Sequence, residues 1–110
     1  MKIKKLNRKF KPSKKFNIFI TEKARVFINN NEQITLIDQS GNEYDIVKKS
    51  WGYYSTPSIN KRLLKNNYQA YLVQNIKNKT IFLFLVQKNK KKMMQSYIKR
   101  VGIKILKHIK

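Results

Sequence analysis

At 110 residues, 41% of them apolar, the chain is long enough for a single domain with a modest core. It contains no cysteine, which excludes a disulfide framework, zinc–cysteine sites and iron–sulfur clusters. Its formal net charge of +21, from 26 Lys and Arg against five Asp and Glu, points to a polyanionic partner. No stretch approaches the roughly 18 apolar residues of a membrane span, and no apolar run of signal-peptide length follows the basic start. A soluble cytoplasmic protein is therefore expected.

The charge is unevenly placed. Residues 1–21 hold eight Lys or Arg and no acid, residues 22–45 hold all five acids with two cations, and residues 46–110 hold sixteen cations and no acid. Clustered cations release condensed counterions from nucleic acid, so a polyanion is the expected partner, RNA ahead of DNA. The competing explanation is genome composition. Lys outnumbers Arg 22 to 4, and Asn and Ile are abundant, as an A+T-rich genome would produce. Such drift does not readily explain missing acids, because Glu codons are A-rich too. The scarcity of Arg argues against bidentate, sequence-specific readout.

Taken in order, residues 1–15 predict a basic, flexible arm, because like charges repel along it and little can be buried. Residues 16–110 then form one domain. Residues 16–20 suggest a short strand, although Phe10, Phe16 and Phe19 would also serve to pin the arm to the core. Residues 25–28, 33–38 and 43–47 read as three strands of an antiparallel meander, joined by turns at 29–32 and 39–42, with Gly41 suited to positive φ. Residues 50–55 predict a loop or bulged strand end at Gly52. Thr56-Pro57 reads as an N-cap followed by proline in the first helical position, opening a short helix that buries Ile59, Leu63 and Leu64 and stops at Asn66-Asn67. Residues 68–74 and 80–87 predict a hairpin, the near-continuous apolar second strand reading as central and covered on both faces. A cationic loop follows at 88–92. Met93, Met94, Tyr97, Ile98 and Val101 then stand at helical spacing before Gly102, and residues 103–109 read as a last, edge strand. The order β-β-β-α-β-β-α-β defines an α+β domain with a mostly antiparallel sheet and two short helices; a small, partly open β-barrel is the alternative.

Two places in the chain could bind an anion. The first is the elbow at residues 51–62. Ser55, Thr56 and Ser58 surround the expected helix start, whose free N–H groups and dipole favour an anion, with Asn60, Lys61 and Arg62 close behind. Trp51, Tyr53 and Tyr54 would supply a stacking wall. The second is diffuse and lysine-rich: Lys4, Lys5, Arg8, Lys9, Lys14 and Lys15 on the arm, with Lys77, Lys79, Lys88, Lys90, Lys91 and Lys92 downstream. Tyr68, Tyr71, Phe82 and Phe84 interleave with polar residues as in an RNA-binding sheet, but the RNP pattern is absent and these rings read as core. No zinc-finger spacing, Walker loop or GxGxxG fingerprint occurs, so no cofactor is indicated. Glu43 and Asp45 alternate on one strand face, yet turn-flanking acids of this kind are usually solvated, and no metal site is assigned. The only histidine, His108, reads as a surface residue, and no acid lies downstream of Asp45 to orient it as a base, so catalysis finds little support.

The segment from Glu43-Tyr44-Asp45-Ile46 through Trp51-Gly52-Tyr53-Tyr54-Ser55-Thr56-Pro57-Ser58-Ile59-Asn60-Lys61-Arg62-Leu63 resembles a family of small bacterial proteins. In that family E-Y-D-(V/I) leads into W-G-(F/Y)-(Y/A)-(A/S)-T-P-S-x-N-x-R-L, and the similarity extends over about residues 24–87. The resemblance implies that Trp51, Thr56, Pro57, Ser58, Asn60 and Arg62 form the characteristic unit. It implies no activity, cofactor or partner, and neither the basic arm nor the 88–92 run belongs to the pattern.

The expected function is thus a non-enzymatic protein contacting a polyanion, RNA or a ribonucleoprotein foremost, through lysine-rich surfaces. The alternative is a cytosolic interaction or small-anion-binding module that uses the elbow, its charge reflecting genome composition.

Overall fold

The computed structural model describes all 110 residues. The strands are β1 (Lys2–Phe10), β2 (Ile20–Phe27), β3 (Gln33–Ile37), β4 (Glu43–Lys49), β5 (Gly52–Ser55), β6 (Tyr68–Asn75), β7 (Ile81–Gln87) and β8 (Ile103–Ile109). The helices are α1 (Arg62–Lys65), between β5 and β6, and α2 (Lys91–Val101), between β7 and β8; a 3₁₀ turn at Lys88–Lys90 leads into α2. The strands make three sheets of order β1-β2, β3-β4-β5 and β7-β6-β8, none closed into a barrel. This is the α+β class read from the sequence, with mostly antiparallel pairing and two helices. Two strands, β1 and β5, are added to the expected order. The chain resolves into two compact units, residues 1–35 with 45–54, and residues 36–44 with 55–110.

In the first unit, the segment expected to be a flexible arm forms strand β1, antiparallel to β2. Repulsion along the arm is outweighed by the partners that lie across from it. Ile3 faces Val26, Phe10 faces Ile20, and Arg8 faces Glu22. Cross-strand pairs of this kind each stabilise by about 0.2–1 kcal/mol. Strand β2 starts at Ile20, so the short strand expected at residues 16–20 is absent and the one expected at 25–28 is longer and begins earlier. Between Lys5↔Ala24 and Arg8↔Glu22, Leu6 and Asn7 oppose Lys23 alone, a β-bulge that resets the alternation of β1. The Lys23 ammonium donates to Asn7 Oδ1 at 2.7 Å beside it.

Directly opposed residues share a face, so the register sorts the ribbon's side chains. The first face carries Lys2, Lys4, Lys9, Thr21, Lys23, Arg25 and Phe27. The second carries Ile3, Lys5, Arg8, Phe10, Ile20, Glu22, Ala24 and Val26. All residues of the first face are exposed, whereas Phe10, Glu22 and Val26 on the second are half-buried. Elsewhere in this unit the Asn29–Glu32 turn is closed by the Glu32 carboxylate accepting from the Asn29 amide at 2.6 Å, and it is tied to β4 through Asn31 N–H to Lys48 O at 2.8 Å.

The second unit is built on β6. Its Tyr71 and Val73, with Val86 of β7, form the buried centre, against which Phe84, Met94, Ile103 and Ile105 pack. Strand β6 is central because it pairs antiparallel with both β7 and β8. Strand β7, expected to be central, is an edge, with Ile81 and Leu83 respectively 56% and 54% exposed. An unbroken apolar run does not distinguish a covered strand from an edge strand that offers both faces. Strand β8 is the other edge, as expected, with Lys104 and Lys107 exposed and a register shift opposite Leu72/Val73. The apolar spacing of α2 places Ile98 in the interior with Met94 and Val101 half-buried, and leaves Met93 and Tyr97 exposed. Gly102 ends the helix in the left-handed region, φ +76°, its N–H donating to Ile98 O. His108, expected at the surface, is half-buried and stacked on Tyr71 with ring centroids 4.4 Å apart.

Candidate nucleic-acid interface

The aromatic part of the elbow belongs to the first unit. Ser50 and Trp51 form the turn from β4 into β5. Trp51 is 71% exposed and stacks on Tyr54 at 6.0 Å with 17° between the ring planes. Tyr53 is exposed beneath the Lys48 ammonium, 5.4 Å from its ring centroid. The rings are therefore at the surface, where a flat ligand can reach them.

Residues 55–62 belong to the second unit, and here the local structure differs from expectation. The helix begins at Arg62 and lasts four residues, so Thr56 is not its N-cap and the dipole expected there is missing. The turn is organised by Ser58 instead. Its carbonyl accepts from Leu63 N–H at 2.9 Å and its hydroxyl accepts from Arg62 N–H at 3.1 Å. A hydroxyl of this kind competes with helix by bonding nearby backbone. Pro57 is buried, Thr56 Oγ1 accepts from the Arg62 guanidinium at 2.5 Å, and Ser55 Oγ lies 2.5 Å from the Tyr44 hydroxyl. All three hydroxyls thus have partners within the fold, while Asn60 and Lys61 are exposed.

The lysine-rich surfaces are more distinctive. On the ribbon, Lys4 and Lys9 share the first face, whereas Lys5 and Arg8 lie on the second. Lys14 and Lys15 are exposed on the link from β1 to β2, where Lys15 lies over Phe16 at 5.9 Å. Lys77 and Lys79 are exposed on the β6–β7 turn, Lys79 at φ +66°. The expected loop at 88–92 is instead the 3₁₀ turn and the first turn of α2. Lys88, Lys90, Lys91 and Lys92 line a shallow depression there with Asn89 and Gln95. That helix start has no acidic residue and no side-chain cap. Cations at the positive end of a helix dipole oppose its formation, so this cluster sits where local stability disfavours it.

The acids do little to offset the lysines. Glu22 accepts from Arg8 at 2.9 Å and from Arg25 at 3.2 Å, Glu32 meets the N-terminal amine at 3.4 Å, and Asp45 is buried. Asp38 accepts from the Tyr68 hydroxyl at 2.5 Å and from the amides of Ser40 and Asn42. None of the 22 lysines forms an ion pair.

These bonds hold the carboxyls below their ordinary values: Glu22 through Arg25 and then Arg8, Glu32 through the Asn29 amide, and Asp38 chiefly through the Tyr68 hydroxyl. A carboxyl lowered by folding stabilises the fold above its unfolded value and loses that contribution as pH falls through the folded one. Tyr68, raised by donating to Asp38, shifts the opposite way, so its contribution is intact below its unfolded value and fades as pH rises through the folded one. The urea midpoint should therefore drop once pH falls below about 4. It should drop less steeply in Asp38→Asn; an unchanged acid limb would show that the Tyr68–Asp38 bond is absent in solution.

Several members of these surfaces were invisible in the sequence. Lys2, Lys23 and Arg25 join Lys4 and Lys9 only through the β1–β2 register. Lys9 and Lys11 both lie over Phe19, at 4.4 and 5.0 Å. The spacing of lysines along the chain carries no trace of this grouping, since the bulge changes the phase between Lys4 and Lys9.

Fold and surface together define a cationic α+β protein on three small open sheets, with no helix long and apolar enough to cross a membrane. No protein-family model, curated protein or solved structure matches the chain.

Proposed function

We propose that this chain is a non-enzymatic, cytoplasmic RNA-binding protein that contacts its ligand through lysine-rich surfaces, as an accessory of a ribonucleoprotein. The observation that carries the reading is the complete lack of ion-paired lysines in a chain of net charge +21. Left unneutralised, like charges raise the free energy of the compact state, and an RNA backbone offsets that repulsion while releasing its own counterions. The grouping of cations on one ribbon face and at the start of α2 supports the reading, because a row or cluster of ammonium groups matches consecutive phosphates better than scattered ones. The exposed Trp51–Tyr54 stack adds a surface on which a base can lie.

The test is retention of a labelled single-stranded RNA across a salt series. For single strands the logarithm of affinity falls with the logarithm of salt at about −0.7 per phosphate contact, so six contacts give roughly a 300-fold loss between about 50 and 200 mM. A loss of that order, persisting in Trp51→Ala, is the expected result. Affinity that ignores salt, or no retention at the lowest salt, overturns the reading.

A further inference from the structure

We propose that the first face of the β1–β2 ribbon is a platform for single-stranded nucleic acid, with bases stacked on Phe19 and Phe27 and phosphates held by the lysines between them. The inference rests on the RNA-binding reading and narrows it, from a ligand with charge alone to one that has both phosphates and unpaired bases.

Aromatic rings mark the two ends of this face. Phe27 stands opposite Lys2 at one end, 55% exposed, and Phe19 lies two residues beyond Thr21 at the other, 50% exposed. Eight residues of extended chain separate them, about 26 Å at roughly 3.3 Å per residue. Between the rings the face carries cations, is exposed throughout and holds no acid. The ribbon's apolar pairs, Ile3 with Val26 and Phe10 with Ile20, lie on the other face, so neither exposed ring belongs to an apolar cross-strand pair.

The Phe19 ring also shows how a base would be received. The Lys9 and Lys11 ammonium groups both lie over it. An exposed cation–π contact is weaker than the stacking of a base on the same ring. An arriving base can therefore take the ring, and the displaced ammonium groups, already beside it, turn to the phosphates on either side. Arg25, opposite Lys4, is already engaged by Glu22, which leaves the lysines as the cations of this face that meet a phosphate. A duplex gains only the lysine contacts, because its bases are stacked internally and cannot reach Phe19 or Phe27.

The test uses the full chain with three probes: a uridine oligomer of about 20 nucleotides, duplex RNA of equal length, and heparin, a polyanion without bases. The single strand is expected to bind about tenfold more tightly than the duplex. A Phe19→Leu/Phe27→Leu double variant, which keeps apolar bulk but removes both rings, should lose that advantage while its heparin affinity and salt slope stay unchanged. Restoring the rings as Phe19→Tyr/Phe27→Tyr should restore it. If the Leu variant binds the oligomer as the unsubstituted chain does, or if duplex and single strand bind equally, the platform is overturned and the polyanion reading stands. If the unsubstituted chain binds neither RNA nor heparin at low salt, both are overturned.

Discussion

Replacing Tyr71 with alanine should cost the second unit about 3–5 kcal/mol, the usual loss when a buried aromatic is truncated in a packed core. Tyr71 is 2% exposed on the central strand, at the centre of the cluster with Val73 and Val86, and its ring stacks on His108. Truncation removes both the area buried by the ring and the surface against which His108 lies. Domains of this size hold only about 5–15 kcal/mol in total, so the urea midpoint, followed by circular dichroism, should fall by about a fifth or more. Tyr71→Phe is the informative companion. It keeps the ring and removes only the hydroxyl that donates to Gln69 Oε1 at 3.2 Å, and should lose about 0.5–1.5 kcal/mol. An alanine variant as stable as the phenylalanine variant would show that the β7-β6-β8 sheet and α2 are not where this unit's stability resides.

The second large effect has opposite signs for stability and binding. In a quadruple variant, Lys88→Gln/Lys90→Gln/Lys91→Gln/Lys92→Gln, the start of α2 loses charges that oppose its dipole. Such charges each weigh about 0.3–1 kcal/mol. Relief from the three nearest should stabilise the fold by roughly 1–3 kcal/mol, and each kcal/mol raises the melting temperature by about 4–8 °C in a domain of up to 100 residues. If the proposed RNA contact includes this cluster, the same change removes four phosphate contacts and the salt slope of binding should become shallower by about 3. A higher melting temperature measured together with a weaker, less salt-sensitive complex is the expected pair of results. Greater stability with unchanged binding would mean that this cluster is only a solvated surface, and RNA contact would then rest on the ribbon.

Much of the second unit was legible in the sequence because its signals are local. Gly102 after a 3.6-residue apolar period marks the end of α2, and Asn75–Lys79 between two apolar runs marks the hairpin. What could not be read depends on partners distant in the chain. β1 looks like a tail until Val26, Ile20 and Glu22 are set opposite Ile3, Phe10 and Arg8. The uncharged run of β7 fits a central strand as well as an edge, and only the position of β8 beside β6 decides between them. Thr56-Pro57 has the composition of a helix start, but the Ser58 hydroxyl and carbonyl hold a turn there that delays the helix to Arg62. The candidate residues divide the same way. The lysines at 88–92 were found because they cluster in the sequence, whereas the ribbon's grouping needed the register, and Phe19, expected to pin the arm to the core, is instead 50% exposed.

One inserted residue gives the ribbon its polarity. Without the bulge at Leu6-Asn7, strict alternation would send Lys9 and Lys11 to the opposite side from Lys2 and Lys4, dispersing the row over both surfaces. Deleting the uncharged pair Leu6-Asn7 would therefore leave the formal net charge at +21 and yet send Lys9 and Lys11 to the other face. Two chains with the same number of lysines can thus differ widely as ligands for a phosphate backbone, and the counting of charges gives way to the phase in which a single strand presents them.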